Sequence, residues 1–361
     1  VVTIGRGKKR ERFEFGLGKH GGTWQEARIP LESFSRKSLE LRFEVLTDDD
    51  LNLSAFLSEP QWIRETDDPV PHVLLITSDT HRGDHLGAVT DRADLATPIL
   101  DQLAQEGTLF ERCYTTTNVT LPSHAALFTG VHPRDTGILD NRTALAEEAP
   151  TLAEAYREAG YATWAAVSTR FLSDRISGLG QGFERYSETT VGQRPAAETI
   201  ATLRDWLTAE PERPTFCWLH LFDAHSPYEP PEEYRTASLR DVSTERSTAA
   251  HLARGQALYR GEIHYLDAEL APLLELHESG WTAFTADHGE ALGAHGIVFQ
   301  HVELYPDTTH VPLILRGPGV PLGARISSFA RHVDLGRTLL DLSGLADAPF
   351  PGSNLLTSAS A

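Results

Sequence analysis

The chain has 361 residues, 40% hydrophobic and 23% charged, and a formal net charge of −19. That balance describes an ordinary water-soluble globular protein, and the acidic excess argues against a nucleic-acid backbone or an anionic membrane surface as partner. An anionic substrate would need a locally positive site, most simply a metal. The two cysteines, Cys113 and Cys217, make no disulfide scaffold. No apolar stretch reaches the ~18 residues of a membrane span. No signal-peptide pattern is visible, so a cytoplasmic location is the expectation, although a chain opening at Val1 is compatible with processing. Self-association into a homo-oligomer is left open.

Residues 1–68 read as a small all-β, sandwich-like module. LELRFEV (39–45) alternates, with Leu39, Leu41, Phe43 and Val45 on one face and Glu40, Arg42 and Glu44 on the other; RFEF (12–15) begins a similar pattern. Such alternation marks half-buried antiparallel strands. GKHGGTW (18–24) and TDDDLN (47–52) supply turns, and RETDDPVP (64–71) reads as a linker.

From residue 72 the pattern changes. HVLLITSD (72–79), ATWAAVS (162–168), TFCWLHLFD (215–223), WTAFTAD (281–287) and VPLILRG (311–317) are apolar runs of buried-strand type. Helices are predicted between them at 96–107, 151–160, 195–209 and 262–278. The first has Thr97 and Pro98 at its start and Gly107 at its end, the usual start and stop signals. Strand–helix alternation implies a mostly parallel sheet covered on both faces. The terminal SNLLTSASA (353–361) is expected to fray.

One further helix is predicted in NVTLPSHAALFTG (118–130). Pro122 suits a first turn, the apolar run continues it, and Gly130 stops it. Thr120 then sits just ahead of a helix N-terminus, where free N–H groups and the dipole favour an anion. In sheets of this kind ligands bind beyond the carboxyl ends of the strands. Three runs end there in acid or histidine: one in Asp79, one in Asp223 and His225, one in Asp287 and His288. Singly, each aspartate reads as a helix cap. Together they offer the oxygen and imidazole donors that a divalent metal needs.

SDTHRGDHLG (78–87), the stretch from TPILDQ to HPRDTG (97–137), FDAHSPYEPP (222–231), TADHGEALGAHG (285–296) and QHVELYPDTTHVPLILRGPG (300–319) resemble, in order, the blocks of the sulfatase branch of the alkaline-phosphatase superfamily. They cover most of residues 72–345. The resemblance implies an α/β sandwich around a central, mostly parallel sheet, following the small all-β N-terminal module. It makes residues 69–361 a sulfatase-like catalytic domain whose C-terminal part is open to truncation. It implies a metal-dependent hydrolase of a small anionic ester. Residue by residue, Asp79 matches the first metal-binding aspartate, and Asp287 and His288 the later pair. His225 matches the histidine that contacts the transferred group. His301 falls where a Lys or His helps hold that group or its leaving oxygen, and Thr120 takes the nucleophile position.

The departures are informative. Many sulfatases have a second aspartate where Thr80 stands. Formylglycine sulfatases carry Cys-x-Pro-Ser-Arg or a Ser variant, oxidised to an aldehyde; this chain has Thr120-Leu121-Pro122-Ser123-His124, and threonine would not give that aldehyde. The Lys/His pair of a GKWHLG-like segment is not evident in ATWAAVSTRFLS (162–173). Threonine nucleophiles occur elsewhere in the superfamily, in phosphodiesterases, phosphonate-cleaving enzymes and phosphoethanolamine transferases. The expectation therefore moves from sulfur toward phosphorus.

Asp79, Asp287, His288 and Thr120 Oγ are expected around one metal, which lowers the hydroxyl pKa so that Thr120 attacks phosphorus, or sulfur, and forms a covalent ester that water hydrolyses. His225 and His301 either hold the equatorial oxygens and protonate the leaving group, or bind a second metal with Asp223. Mixed ligation favours zinc or manganese, with calcium the alternative. Arg82 either faces the substrate or pairs with Asp84 to fix the loop. His124 is either a site residue or a helix-start hydrogen-bonder. His295 orders its loop, His310 and His332 are structural or surface residues, and His220 is a core histidine. The rival readings are a sulfuric-ester hydrolase working without formylglycine and an inactive, fold-retaining binding protein.

Overall fold

The computed structural model describes residues 1–6, 9–15, 29–31, 40–44 and 72–358, the last range apart from 91, 93, 190, 191, 211, 212, 241, 244 and 245. The chain divides into two compact units, Val1–Pro60 and Gln61–Ala361. In the first, Val2–Arg6 pairs antiparallel with both Lys9–Phe13 and Glu40–Phe43. Val2 and Ile4 pack there with Phe13, Ile29, Leu31 and Leu41. The two alternating segments thus supply two of three antiparallel strands. The expected turns at 18–24 and 47–52, the linker at 64–71 and the boundary at 68/69 lie outside the described residues.

The five apolar runs of the second unit become five adjacent strands. Its sheet runs in the order Ala324–Ile326, Thr108–Phe110, Leu313–Arg316, Trp281–Thr285, Val73–Ser78, Thr215–Leu221, Ala162–Val167, Arg185–Ser187. Among these, Leu313–Arg316 alone runs against its neighbours, so the sheet is mostly parallel, as read from the sequence. The three remaining strands are only three residues long and flank the five.

Alternate residues of each central strand feed opposite cores. Val73 and Leu75 join Leu121, Phe128, Leu152, Tyr156 and Leu339 on one face. Leu74 and Ile76 join Leu100, Leu203, Ile263 and Leu270 on the other. Each such buried side chain contributes about 1.5–3 kcal/mol of transfer free energy. The expected helices therefore divide between the faces, and the unit is an α/β sandwich: Thr120–Thr129 and Leu152–Glu158 on the first, Pro98–Gln105 and Ala196–Ala209 on the second. Thr151 and Glu154 close a capping box on Leu152–Glu158. The helix expected at 262–278 is the second half of Thr248–Leu276, which begins at a Ser247 cap. Thr120 is the first residue of its helix rather than the one before it, and Gly130 ends that helix with a left-handed φ of 69°.

Candidate active site

Asp79 follows the Val73–Ser78 strand directly, and its N–H donates to the carbonyl of Leu221 at 2.8 Å. Asp287 and His288 follow the neighbouring parallel strand Trp281–Thr285. The parallel register thus brings both strand ends to one point. One ligand atom from each of Asp79, Asp287 and His288 lies within 4.8 Å of the others, and all three residues are buried. Asp287 Oδ1 accepts from the N–H groups of Thr80 (3.2 Å) and His288 (2.8 Å). Both carboxylate oxygens of Asp79, Asp287 Oδ2 and His288 Nε2 have no hydrogen-bond partner.

This donor set fits a divalent cation. His288 Nδ1 lies 3.0 Å from the carbonyl of Gly289, an acceptor, so the ring proton sits on Nδ1. The Nε2 lone pair then faces Asp287 Oδ2 at 3.4 Å and Asp79 Oδ1 at 3.9 Å. A lone pair against two carboxylates is repulsive unless a cation lies among them. Burial, together with His301, pushes the His288 pKa down to about 3, so the ring is neutral, as a ligand must be. Burial and the charge of Asp79 push Asp287 well above the usual carboxylate range. Burial would raise Asp79 too, but the bond to His220 and the nearby imidazoles of His225 and His288 hold it low.

Thr80 stands where the resemblance places a second aspartate. Its φ is 55°, a left-handed conformation that a β-branched residue adopts only under strain of about 1–3 kcal/mol. That backbone aims its N–H at Asp287, while its hydroxyl donates to the carbonyl of Ala224 at 2.7 Å.

The first turn of the Thr120–Thr129 helix is pinned against Asp287. Ser123 Oγ donates to the Asp287 carbonyl at 2.7 Å. His124 Nδ1 donates to the Thr120 carbonyl at 2.8 Å and lies 3.9 Å from Asp287 Oδ2. His124 thus answers both of its readings, bonding at the helix start and bordering the metal trio. Leu121 N–H, one of the free groups expected at the helix start, is taken by Asn141 Oδ1 at 2.8 Å.

His220 is not the satisfied core histidine that its strand position suggests. Its Nε2 lies 3.4 Å from Asp79 Oδ2 and has no hydrogen-bond partner, while Nδ1 meets Ser168 Oγ at 3.2 Å. The signal was available: Thr215–Leu221 and Val73–Ser78 are neighbours, and a histidine next to the strand end faces whatever follows the adjacent strand.

His225 and His301 border the trio. The His301 ring lies 4.4 Å from that of His288 and 5.4 Å from that of His225. Burial would lower the pKa of His301, but the carboxylate of Glu290 outweighs it and raises the value. Asp223 is placed elsewhere: its Oδ1 accepts from Ala196 N–H at 3.0 Å, capping the Ala196–Ala209 helix, and burial pushes its pKa up to about 6. Among the described residues the trio is the single cluster able to hold a metal, so Asp223 does not complete a second one.

Arg82 follows the loop-fixing alternative rather than the substrate-facing one. It grips Asp84 with two bonds of 2.8 and 2.7 Å, donates to the Glu290 carbonyl at 2.9 Å and reaches Asp307 at 2.6 Å. His295 stacks on Tyr305 at 3.8 Å, consistent with ordering its loop. His310 donates to the Glu111 carbonyl at 2.9 Å, and His332 is fully buried; both are structural. Among the described residues no helix is long and apolar enough to cross a membrane.

The sulfatase family model matches residues 71–345. Among curated proteins the chain is similar to the uncharacterized sulfatase YidJ of Escherichia coli, 24% identical over 79% of this chain and 70% of the relative. It is also similar to a delta 4,5-hexuronate-2-O-sulfatase of Bacteroides thetaiotaomicron, 24% identical over 76% of this chain and 69% of the relative. Among solved structures, the phosphonate monoester hydrolase of Agrobacterium radiobacter shares the fold with a TM-score of 0.66, at 23% identity over 79% of this chain and 76% of that one. The sheet, the strand-end trio and the family match lead to one conclusion: the chain belongs to the sulfatase family and is a sulfatase-like ester hydrolase.

Proposed function

We propose that the chain hydrolyses small phosphoric esters or phosphonates through a covalent intermediate on Thr120. The observation that carries this reading is the pinning of the Thr120 turn against Asp287 by Ser123 and His124. The fold shared with a phosphonate monoester hydrolase supports it. The residues used lie between Asp79 and His301, within a catalytic domain at 69–361.

Asp79, Asp287 and His288 would hold one divalent ion beside Thr120 Oγ, zinc or manganese on this mixed donor set, supplying the charge that eases ionisation of a hydroxyl and neutralises the bound ester. Thr120 Oγ forms a bond to phosphorus in line with the ester bond that breaks. The hydroxyl proton passes to water, and His301 gives a proton to the leaving oxygen. His225 holds the non-bridging oxygens. Water then attacks phosphorus from the vacated side, the bond to Oγ breaks, and Thr120 regains its proton.

The sulfatase names of the curated relatives favour a second reading, a sulfuric-ester hydrolase working without formylglycine. One assay separates them. With zinc or manganese supplied, p-nitrophenyl phosphate, bis-p-nitrophenyl phosphate, a phenylphosphonate ester and p-nitrophenyl sulfate are compared side by side. A phosphorus ester is expected to turn over fastest, with Thr120→Ala inactive but still metal-binding. Turnover of the sulfate alone, or full activity in Thr120→Ala, refutes the proposal.

A further inference from the structure

The carboxylate of Glu290 is fully buried two residues beyond His288, yet it belongs to neither the metal trio nor Thr120. One oxygen, Oε2, accepts from the hydroxyl of Tyr228 at 3.2 Å. The other, Oε1, is buried with no hydrogen-bond partner, and so is Nδ1 of His301. These two unpartnered atoms face each other at 3.7 Å.

The backbone on both sides of that gap is anchored. The Glu290 carbonyl accepts from Arg82 at 2.9 Å. The carbonyls of His301 and Glu303 both accept from Asn118 Nδ2. Two residues before His301, the Phe299 ring lies over Gly255, where any Cβ would come within 1.9 Å of it. The ring of His301 is therefore the free element, and its orientation is set by what Nδ1 meets. Leaving a buried carboxylate oxygen and an imidazole nitrogen unpaired is costly. Active-site hydrogen bonds are often long without substrate and tighten when it binds.

We propose that Glu290 is the positioning residue for His301: it accepts Nδ1–H and thereby turns Nε2 toward the bound ester. Tyr228 holds the far oxygen of that carboxylate, so the unit is Tyr228–Glu290–His301. The inference deepens the reading of His301 as proton donor to the leaving oxygen and rests on it. Glu290 touches no reacting atom; it acts through the imidazole.

The test has a spectroscopic arm that needs no turnover, so it stands even where the chain hydrolyses none of the esters above. The full chain is labelled with ¹⁵N-histidine, and His301 is identified by its loss in His301→Gln. Long-range ¹H–¹⁵N spectra are expected to show His301 protonated at Nδ1 in the wild type and at Nε2 in Glu290→Leu. Glu290→Gln, which keeps the shape and serves if the leucine variant does not fold, is expected to move the Nδ1 proton upfield. An unprotonated Nδ1 in the wild type, or no change in either variant, overturns the proposal.

The kinetic arm compares an alkyl with a p-nitrophenyl ester of the same acid. Glu290→Leu is expected to slow the alkyl ester about 10–100-fold, as loss of a supporting carboxylate does. The p-nitrophenyl ester, whose leaving group needs no proton, is expected to change less than about threefold. In a His301→Ala background the Glu290 substitution is expected to add nothing. Equal slowing of both esters, or full additivity with His301→Ala, overturns the proposal.

Discussion

The floor and the rim of the site are built by different means. Asp79, Asp287, His288, His220 and His124 are fully buried on strand ends and a helix start, and each is hydrogen-bonded or packed from several sides. His301 rides on a loop in which Phe299 takes a left-handed φ of 53°, and its neighbours Val302 and Leu304 are 66% and 71% exposed. A floor made from the sheet fixes the chemistry, because moving it means repacking the core. A rim made from a loop changes at little structural cost, so discrimination among alcohols belongs there.

The sharpest way to break this comparison is to take one charge from the floor. Asp287→Asn is expected to cut turnover on the order of 10³-fold, the equivalent of several kcal/mol of charge stabilisation. Metal at a hundred times its Kd should stabilise the wild type by about 2.7 kcal/mol and the variant by almost nothing. Without metal the variant should melt no lower than the wild type, because it lacks the buried repulsion with Asp79. Calorimetry with and without metal reads all of this; a metal-free variant that unfolds early would mean that the carboxylate is structural.

A substitution remote from the chemistry tests how the rim is held. Gly255→Ala puts a methyl into the Phe299 ring. It gains about 1 kcal/mol of helix propensity, offsetting part of an overpacking cost of about 1–3 kcal/mol. Displacing the loop by about 1 Å should nevertheless lower kcat/KM as much as 10²-fold. If activity holds, the loop is not anchored through Phe299.

Glu262 offers the converse of the floor, a buried carboxylate with no cation beside it. It is 5% exposed, and burial followed by the charge of Asp223 pushes its pKa from 4.5 up to about 8. A raised folded-state value means that its stabilising contribution is complete below pH 4.5 and is lost as pH rises through about 8. Glu262→Gln should therefore melt with the wild type below that lower limit and be more stable by about 2 kcal/mol at pH 8. Parallel melting curves at every pH would show that Glu262 stays charged. The smallest effect is expected at the rim itself. Leu304→Ser should leave stability within about 0.5 kcal/mol and shift KM for apolar esters by only about threefold, with kcat unchanged.

What the sequence disclosed follows from how each element is buried. Central parallel strands are apolar on both faces, so five continuous runs stood out. The flanking strands at 108–110, 185–187 and 324–326 have three residues each, too few to show a period. Only the second half of Thr248–Leu276 was legible, because Gly255 and a polar stretch interrupt the apolar spacing of the first. Asp79, Asp287 and His288 were visible because carboxylates and imidazoles closed apolar runs. His220 was hidden inside such a run, where alternation assigned it to the core. Glu290 was hidden because its partners, Tyr228 and His301, lie 62 and 11 positions away and meet it only in the folded loop arrangement.

The strand order also has a consequence in time. Val73–Ser78 lies between Thr215–Leu221 and Trp281–Thr285, so the bond from Thr80 to Asp287 spans 207 positions. During synthesis Asp79 waits for most of the chain before the other two donors exist. Contacts of such long range form late, and the separated donors cannot chelate until the central sheet has closed. Metal uptake is therefore a report on completed folding, and a stalled or truncated chain lacking residue 288 would neither capture the ion nor acquire activity.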